Sequence, residues 1–352
     1  MVAEMERDAR IYVAGHRGLV GSAIVRALRA AGYESLILRT HAELDLLDGA
    51  AVTRHFDETR PTHVVIAAAK VGGILANKSQ PVDFLLHNLT IQNHLIERAH
   101  RFGVQKLLFL GSSCIYPKYA PQPISEDSLL TGALEPTNDA YALAKIAGIK
   151  LCDAYNRQHG TNFVSAMPTN MYGPGDNFDL QGSHVLPAMI RKFHLAKLGR
   201  AGDDAGIARD VARFGAIPEG LRDELRTGRV TLWGSGSPRR EFLYSDDLAD
   251  ACVFLLREVS AAALGGEATA DRNPCALINV GYGDDVTIRA LAETVQRTVG
   301  FEGEVAWDAS KPDGTPRKLM DSSRIRSLGW TPKVDLSEGV RRAYAWYLDA
   351  LS

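Results

Sequence analysis

The sequence predicts an α/β protein built on a doubly wound parallel sheet, and two patterns support this prediction. From Arg10 to about residue 170, short β-rich runs alternate with longer stretches of helical periodicity. This alternation is typical of consecutive βαβ units. A glycine-rich segment, 15–21, follows the first β-rich run and opens a helical stretch. Together the patterns indicate a Rossmann-type sheet of the kind that binds dinucleotides.

The elements of the first half alternate regularly, and those of the second half do not. The predicted strands are 11–14, 35–38, 63–68, 106–110 and 163–167, and the predicted helices are 22–31, 81–102 and 140–158. After a Gly/Asp/Asn-rich loop at 173–183, the predicted elements are helices 186–197, 246–258 and 288–299 and a strand 277–280. The charged segment 199–229 between them suits either a mobile lid or a solvent-facing insertion.

Composition limits the classes of function. The chain has 352 residues, 45% of them hydrophobic, which is enough for about two domains. A net charge of −2 makes a nucleic-acid or membrane surface improbable, and the first ten residues alternate acids and bases without a signal-peptide pattern, so a cytoplasmic location is expected. The four cysteines lie far apart, so neither disulfides nor a metal site is expected; they are Cys114, Cys152, Cys252 and Cys275.

The glycine-rich segment predicts a phosphate-binding turn. Glycines let the backbone approach a pyrophosphate closely, and the start of the following helix supplies free N–H groups. A tight strand-to-helix connection without a ligand is the alternative, but the strand before and the helix after match the context of a cofactor site. The segment consists of Gly15, His16, Arg17, Gly18, Leu19, Val20 and Gly21.

The end of the second predicted strand favours NADP(H) over NAD(H). Where an NAD site usually has an acid for the ribose 2′-hydroxyl, this chain has Arg39. Arg39 and Arg17 offer two cations to a 2′-phosphate, although each could also be a solvated surface residue. Further cofactor contacts are predicted after this strand and the next one, at His41, Asp45, Leu46, Ala67 and Ala69.

Three residues form a candidate proton-transfer set for carbonyl chemistry. Tyr141 and Lys145 are four residues apart, so they share one face of the predicted helix. Taken alone they are an ordinary helix pair, but Ser112 lies 29 residues upstream of Tyr141 at a strand end, where α/β sheets present ligands. Cys114 is unusual beside them, because a plain hydride transfer has no need of a thiol. It suggests chemistry in addition to reduction.

These motifs resemble the extended short-chain dehydrogenase/reductase family. Within it, the chain is similar to the bifunctional 3,5-epimerase and 4-reductase enzymes that convert GDP-4-keto-6-deoxy-D-mannose to GDP-L-fucose. The resemblance covers nearly the whole chain, in the stretches 14–18, 69–74, 111–118, 135–138, 168–174 and 311–318. It implies an NADP-binding Rossmann domain at 8–174, to which the chain returns near 230–251, and a mainly substrate-binding, smaller C-terminal α/β domain at 175–352.

The chemistry of a 4-keto sugar explains why this family needs a base and an acid. The ketone acidifies the hydrogens on C3 and C5, because removing either one gives an enolate. Cys114 is a reasonable base if positive charge lowers its pKa from about 8.5. The resemblance implies that His184 is the opposing acid, although its local sequence alone favours a cap or a loop hydrogen-bond partner over a catalyst. Tyr141 would give a proton to the C4 oxygen, with Lys145 and Ser112 assisting.

The resemblance also implies the remaining contacts and partners. The substrate residues correspond to Trp233, Arg240 and Asp313, with Lys192 where the family has an arginine. A homodimer is expected through the helices 81–102 and 140–158. The predicted cofactor contacts also include His184, Lys145, Leu110, Gly111, Ser113, Pro168, Thr169, Asn170 and Met171.

Two other functions compete with this one. A nucleotide-sugar 4-epimerase or 4,6-dehydratase would keep its NAD(P) tightly bound and use the same Tyr and Lys, but a dehydratase needs an acid where this chain has Ser113 and Cys114. A cofactor-sensing protein without activity would typically have lost Tyr141 or Lys145. This chain has both.

Overall fold

A computed structural model describes residues 5–265, 275–311 and 313–352. Its centre is a parallel sheet of six strands, in the order β10-β5-β4-β3-β1-β2. The strands are β1 Ile11–Ala14, β2 Leu36–Ile37, β3 His63–Ile66, β4 Lys106–Leu110, β5 Phe163–Pro168 and β10 Leu277–Val280. Strands β2 and β3 pair with opposite edges of β1, both in parallel. The order in which strands are added to the sheet therefore reverses at β1. The predicted doubly wound sheet is confirmed, although β2 is shorter than expected.

Helices cover both faces of the sheet, so its strands are buried on each side. They are α1 Leu19–Ala30, α2 Gly49–Thr59, α3 Ile74–Ser79, α4 Pro81–Arg101 and α5 Asp139–His159. Successive residues of β1 alternate between two cores: Ile11 and Val13 belong to one, and Tyr12 and Ala14 to the other. The long helices α4 and α5 pack against each other on the second face.

The C-terminal half contributes to both the central sheet and a separate core. Its elements are β6 Asn170–Tyr172, α6 Val185–Ala201, α7 Asp204–Phe214, α8 Glu219–Glu224, β7 Arg229–Trp233, β8 Arg239–Arg240, β9 Phe242–Tyr244, α9 Ser245–Glu258, α10 Ala261–Leu264, β11 Val286–Thr287, α11 Ile288–Val299, β12 Glu304–Asp308, β13 Arg317–Lys318, α12 Ser323–Ser327 and α13 Leu336–Asp349. Helix α9 packs on α1. Three small sheets, β11-β8-β13, β12-β7 and β6-β9, lie outside the central one.

The segment 199–229 includes the helices α7 and α8. A buried ion pair joins α7 to α6, which packs in the separate core of the C-terminal half. Arg191 Nε donates to Asp210 Oδ1 at 2.8 Å, and neither side chain is exposed. Tyr347 of α13 also donates to the Asp210 carboxylate. A small apolar cluster of Leu195, Ile217 and Leu225 fixes the other end. These contacts hold the inner side of the segment, and its other side faces solvent.

Among the helices of the described residues, none is both long enough and apolar enough to cross a bilayer.

Candidate active site

The glycine-rich turn lies directly against the end of β3. Gly15 has φ +83°, and a Cβ there would come within 2.7 Å of the Ala68 nitrogen. A Cβ on Gly21 would overlap the Gly15 carbonyl. Gly18 caps α1 without a side-chain hydrogen bond, so the N–H groups at the helix start have no side-chain acceptor from the cap. The free backbone N–H donors, the helix dipole and the glycines, which have no side chain to block a close approach, fit the diphosphate of a dinucleotide.

The two arginines predicted to select NADP(H) lie on either side of His16. Arg17 follows it in the turn, and the backbone of Arg39 at the end of β2 forms a hydrogen bond with it. Both arginine side chains are exposed. Desolvation and the charge of Arg17 lower the pKa of His16, which keeps that imidazole neutral. Two exposed guanidinium groups therefore belong to residues that interact with His16 of the glycine-rich turn.

The other predicted cofactor residues fall into two groups. One group follows β2: His41 and Asp45 lie 3.9 Å apart as an exposed pair, and the Leu46 carbonyl contacts His94 Nδ1 at 3.0 Å. The second group is at the carboxyl edge of the central sheet, where open α/β sheets bind ligands. It consists of Ala67 and Ala69 after β3, Leu110, Gly111 and Ser113 at the end of β4, and Pro168, Thr169, Asn170 and Met171 at the end of β5 and the start of β6.

Ser112, Tyr141 and Lys145 come together beside this edge. Lys145 is 3% exposed, and its Nζ donates to the Leu110 carbonyl at 2.9 Å. The same ammonium lies 5.9 Å from the centre of the Tyr141 ring. Burial lowers the pKa of Lys145 to about 8. Burial and the charge of Cys114 raise the pKa of Tyr141, against a hydrogen bond from Ser112, so this phenol stays protonated at neutral pH.

Cys114 sits one turn beyond Ser112 in a 3₁₀ helix, Ser113–Ile115. Ser112 caps that helix by accepting a hydrogen bond from the Cys114 N–H at 3.3 Å. The Cys114 sulfur in turn accepts from Asn138 Nδ2 at 3.1 Å and from Lys318 Nζ at 3.7 Å. Burial raises the pKa of this thiol, but Lys318, Ser112 and Asn138 outweigh it, and the net shift is downward. A thiolate beside a protonated phenol can act as a base.

His184 caps the N-terminus of α6, and its side chain is exposed. Desolvation by the surrounding protein lowers its pKa. The loop before it touches the loop after β3, because a Cβ on Gly73 would lie 3.4 Å from the Gly182 carbonyl. Next to that loop, Phe84 packs edge-on against Tyr141 with ring centres 6.5 Å apart. The 182–184 loop and the tyrosine are thus linked through a short run of contacts.

The residues predicted to bind the substrate lie around β7, β8 and the segment before β13. Asp313 accepts hydrogen bonds from the Ser235 N–H at 2.9 Å and the Ser235 hydroxyl at 2.7 Å. Trp233 is 62% exposed, and Asp313 and Arg240 are close enough for their charges to interact. Lys192 on α6 faces Glu224, whose carboxylate accepts from the Thr231 N–H. Pro312, within one of the family-like stretches, lies outside the described residues.

Sequence reasoning assigned no role to Lys318 or Asn138, although both lie in stretches that resemble the family. A lysine 204 residues from the cysteine gives no signal by spacing. Asn138 is three residues before Tyr141, and this closeness in sequence is a signal that could have identified it.

The fold and this site define a class: a dinucleotide-dependent enzyme that acts on a carbonyl group. The chain belongs to the NAD dependent epimerase/dehydratase family, whose model matches residues 11–268.

Full-length relatives give a more specific similarity. The chain is 54% identical to GDP-L-fucose synthase 1 of Arabidopsis thaliana over 97% of its own length and 94% of that protein. It is 48% identical to GDP-L-fucose synthase of Escherichia coli (strain K12) over 97% of both. A solved GDP-L-fucose synthetase from Naegleria fowleri, bound to NADP, matches with a TM-score of 0.79 and 25% identity, covering 99% of this chain and 96% of that one. The predicted resemblance is confirmed.

Proposed function

We propose that this protein converts GDP-4-keto-6-deoxy-D-mannose to GDP-L-fucose, by epimerising C3 and C5 and then reducing the 4-ketone with NADPH. One observation carries the proposal: Cys114, with a lowered pKa, lies beside Ser112 and Tyr141 of the reductase set. A plain reductase or a 4-epimerase has no use for a thiolate there. The relatives named above support the same activity at about half identity.

In the epimerisation, the Cys114 thiolate takes a proton from C3 or C5 of the sugar. The electron pair of the broken C–H bond moves into an enolate with its charge on the C4 oxygen, where the Tyr141 and Ser112 hydroxyls can donate hydrogen bonds. His184 gives a proton to the opposite face of the same carbon and regains one from water. Each cycle inverts one centre and leaves the enzyme unchanged once the Cys114 thiol has lost its proton again.

In the reduction, Tyr141 gives its phenolic proton to the C4 oxygen. When bound, NADPH supplies the hydride that adds to C4. The Lys145 ammonium, held by the Leu110 carbonyl, stabilises the tyrosinate that forms and has further N–H donors for a ribose hydroxyl. Ser112 holds the C4 oxygen in place. The high pKa of Tyr141 suits it to donate a proton at neutral pH.

Cofactor and substrate binding use different charged residues. The exposed guanidinium groups of Arg17 and Arg39 support NADPH over NADH, because they can neutralise a 2′-phosphate. Arg240 can bind the diphosphate of the substrate, and Trp233 offers a ring to the base. Lys192 supplies a point charge where an arginine would supply a bidentate contact.

The proposed assembly is a homodimer formed through α4 and α5. Large apolar side chains are exposed on both helices: Val82 at 69%, Leu86 at 56% and Leu143 at 49%. Exposed apolar residues on adjacent helices are typical of a subunit interface. The cytoplasm is the proposed compartment, and the thiols of Cys114, Cys152 and Cys252, which form no disulfide, fit a reducing environment.

The direct test is to mix the protein with GDP-4-keto-6-deoxy-D-mannose and NADPH and to identify the sugar by NMR. The expected product is GDP-L-fucose, with NADPH consumed and NADH used less efficiently. Substituting Arg39 by Met should raise the KM for NADPH and leave that for NADH nearly unchanged, because only NADPH carries the 2′-phosphate. Turnover of a nucleotide sugar without net cofactor oxidation would instead favour a 4-epimerase.

A further inference from the structure

Lys318 reaches the candidate base from the other half of the molecule. It ends the two-residue strand β13, and its Nζ lies 3.7 Å from the Cys114 sulfur. Asn138 Nδ2 approaches the same sulfur at 3.1 Å. Both side chains present N–H donors, and the lysine adds a positive charge. Two such donors favour the anionic form of a sulfur over the thiol.

We propose that Lys318 is a further catalytic residue, whose ammonium holds Cys114 as the thiolate that abstracts protons from the sugar. This proposal rests on the proposed function, in which the Cys114 sulfur is a reacting atom. Asn138 is the accompanying positioning residue, because its amide fixes the direction of the sulfur lone pairs. Neither residue gives up a proton in the reaction.

The charges around the sulfur favour this assignment. The titratable groups shown to interact with it include Lys318 on β13 and Tyr141 on α5. Burial opposes the thiolate, the ammonium favours it, and Tyr141 is uncharged at neutral pH because its own pKa is raised. The attraction to Lys318 is the largest effect that favours the anion.

The proton balance explains why a permanent cation is useful. The thiolate takes a proton from one of the two carbons, C3 or C5, and becomes a thiol, and it must lose that proton to water before it can act at the other carbon. Lys318 is not consumed in either step, so its positive charge favours return to the thiolate each time. Without it, the half-buried Cys114 thiol would keep the first proton longer.

The backbone position of Lys318 is fixed by the pairing of its strand, β13, with β8. In the parallel β8–β13 pair, Lys318 stands opposite Arg240 and Arg317 stands opposite Arg239. The buried carboxylate of Asp285 joins the second pair, accepting from Arg239 Nε at 2.6 Å and Arg317 Nε at 2.5 Å. The β8–β13 pairing therefore fixes the position of Lys318 relative to Arg240, the residue proposed to bind the diphosphate.

The test is the pH dependence of Cys114 alkylation by iodoacetamide, followed by mass spectrometry on the full-length protein without substrate. The wild-type midpoint is expected below that of an ordinary thiol, about 8.5. Lys318→Met should raise the midpoint, with about a tenfold loss of neutral-pH reactivity for each unit of the shift. Lys318→Arg should retain most of the wild-type reactivity, because it keeps the charge. The buried Cys152 and Cys252 provide unreactive internal references.

Lys333→Met is the matched control, since it removes one positive charge from an exposed pair with Asp250. It should leave the midpoint unchanged. If Lys318→Met is insoluble, Lys318→Gln tests the same loss of charge with a polar side chain. A folded Lys318 variant with a wild-type midpoint would overturn the proposal. A shifted midpoint in a protein that makes no GDP-L-fucose would uphold the charge effect and refute the proposed function.

Discussion

Cys114 and Tyr141 lie close enough for the charge of the sulfur to raise the pKa of the phenol. The same surroundings lower the pKa of the thiol. Two neighbouring groups whose pKa values move apart can serve as base and acid at one pH. The lowered pKa of Cys114 favours the thiolate needed for proton abstraction, and the raised pKa of Tyr141 keeps its phenol protonated for the reduction.

Substituting Cys114 by Ala should abolish solvent hydrogen exchange at C3 and C5 of the 4-keto sugar, because no other thiolate faces the site in the described residues. The measurement is NMR of the substrate in D₂O without NADPH. Cys252→Ala is the control, since that thiol is buried in the core between α1 and α9. Exchange at the wild-type rate in the Cys114 variant would rule out its role as the base.

Tyr141→Phe separates the two reactions. The variant should still exchange the hydrogens at C3 and C5 but oxidise NADPH slower by about 10²–10⁴-fold, because it lacks the proton donor for the C4 oxygen. NADPH oxidation is followed by its absorbance, and exchange by NMR. Unchanged NADPH oxidation would show that another group protonates the oxygen.

At the residue scale, the sequence predicted which side chains could take part in the chemistry better than it predicted the residues that surround them. Ser112, Tyr141 and Lys145 follow from local spacing at a strand end and on a helix face. Lys318 and Asn138 do not, because the contact with Lys318 depends on the register of β8 and β13. His184 was identified through resemblance, since an exposed helix cap looks the same in sequence whether or not it donates a proton. Its role as the acid stays a prediction.

At the scale of elements, the burial of charged residues in the segment 199–229, which includes α7 and α8, differs most from what the sequence pattern predicts. Its many charges suggested exposure, and most of them are exposed, but Asp210 is buried with Arg191. Sequence patterns cannot distinguish a charge that faces water from one that is neutralised by a partner in another helix. Asp203 caps α7 by accepting from the Gly206 N–H, which stabilises the start of that helix.

Arg191→Met should destabilise the protein by about 3–5 kcal/mol, because it leaves the Asp210 carboxylate buried without its cation. Urea unfolding measures the change in the free energy of unfolding. Arg226→Met is the matched control: it breaks an exposed pair with Asp204 and should cost less than about 1 kcal/mol. Equal effects in the two variants would contradict the structural role of the buried pair.

For the whole molecule, regular alternation in the first half was enough to predict a doubly wound sheet. The predicted strands β1, β3, β4 and β5 are apolar and buried, so their pattern is strong. The position of β10 beside β5 could not be derived, because it depends on pairing between segments about a hundred residues apart. The domain boundaries expected from the sequence stay predictions.

The homodimer is a prediction at this scale. Leu143→Asp on α5 should convert the protein to a monomer, because it places a carboxylate in the proposed apolar interface. Light scattering coupled to size exclusion gives the mass. Leu328→Asp, at a side chain 37% exposed after α12, is the control and should remain dimeric. A monomeric wild-type protein would contradict the proposed assembly.

A reaction in D₂O tests the central claim most directly, namely that one site epimerises two centres and then reduces the ketone. The protein, GDP-4-keto-6-deoxy-D-mannose and NADPH are incubated, and the product is analysed by mass spectrometry and NMR. The prediction is GDP-L-fucose with deuterium at both C3 and C5, and one NADPH consumed for each product molecule. A reduced product without carbon-bound deuterium, or one that keeps the original configuration at C3 and C5, would contradict it.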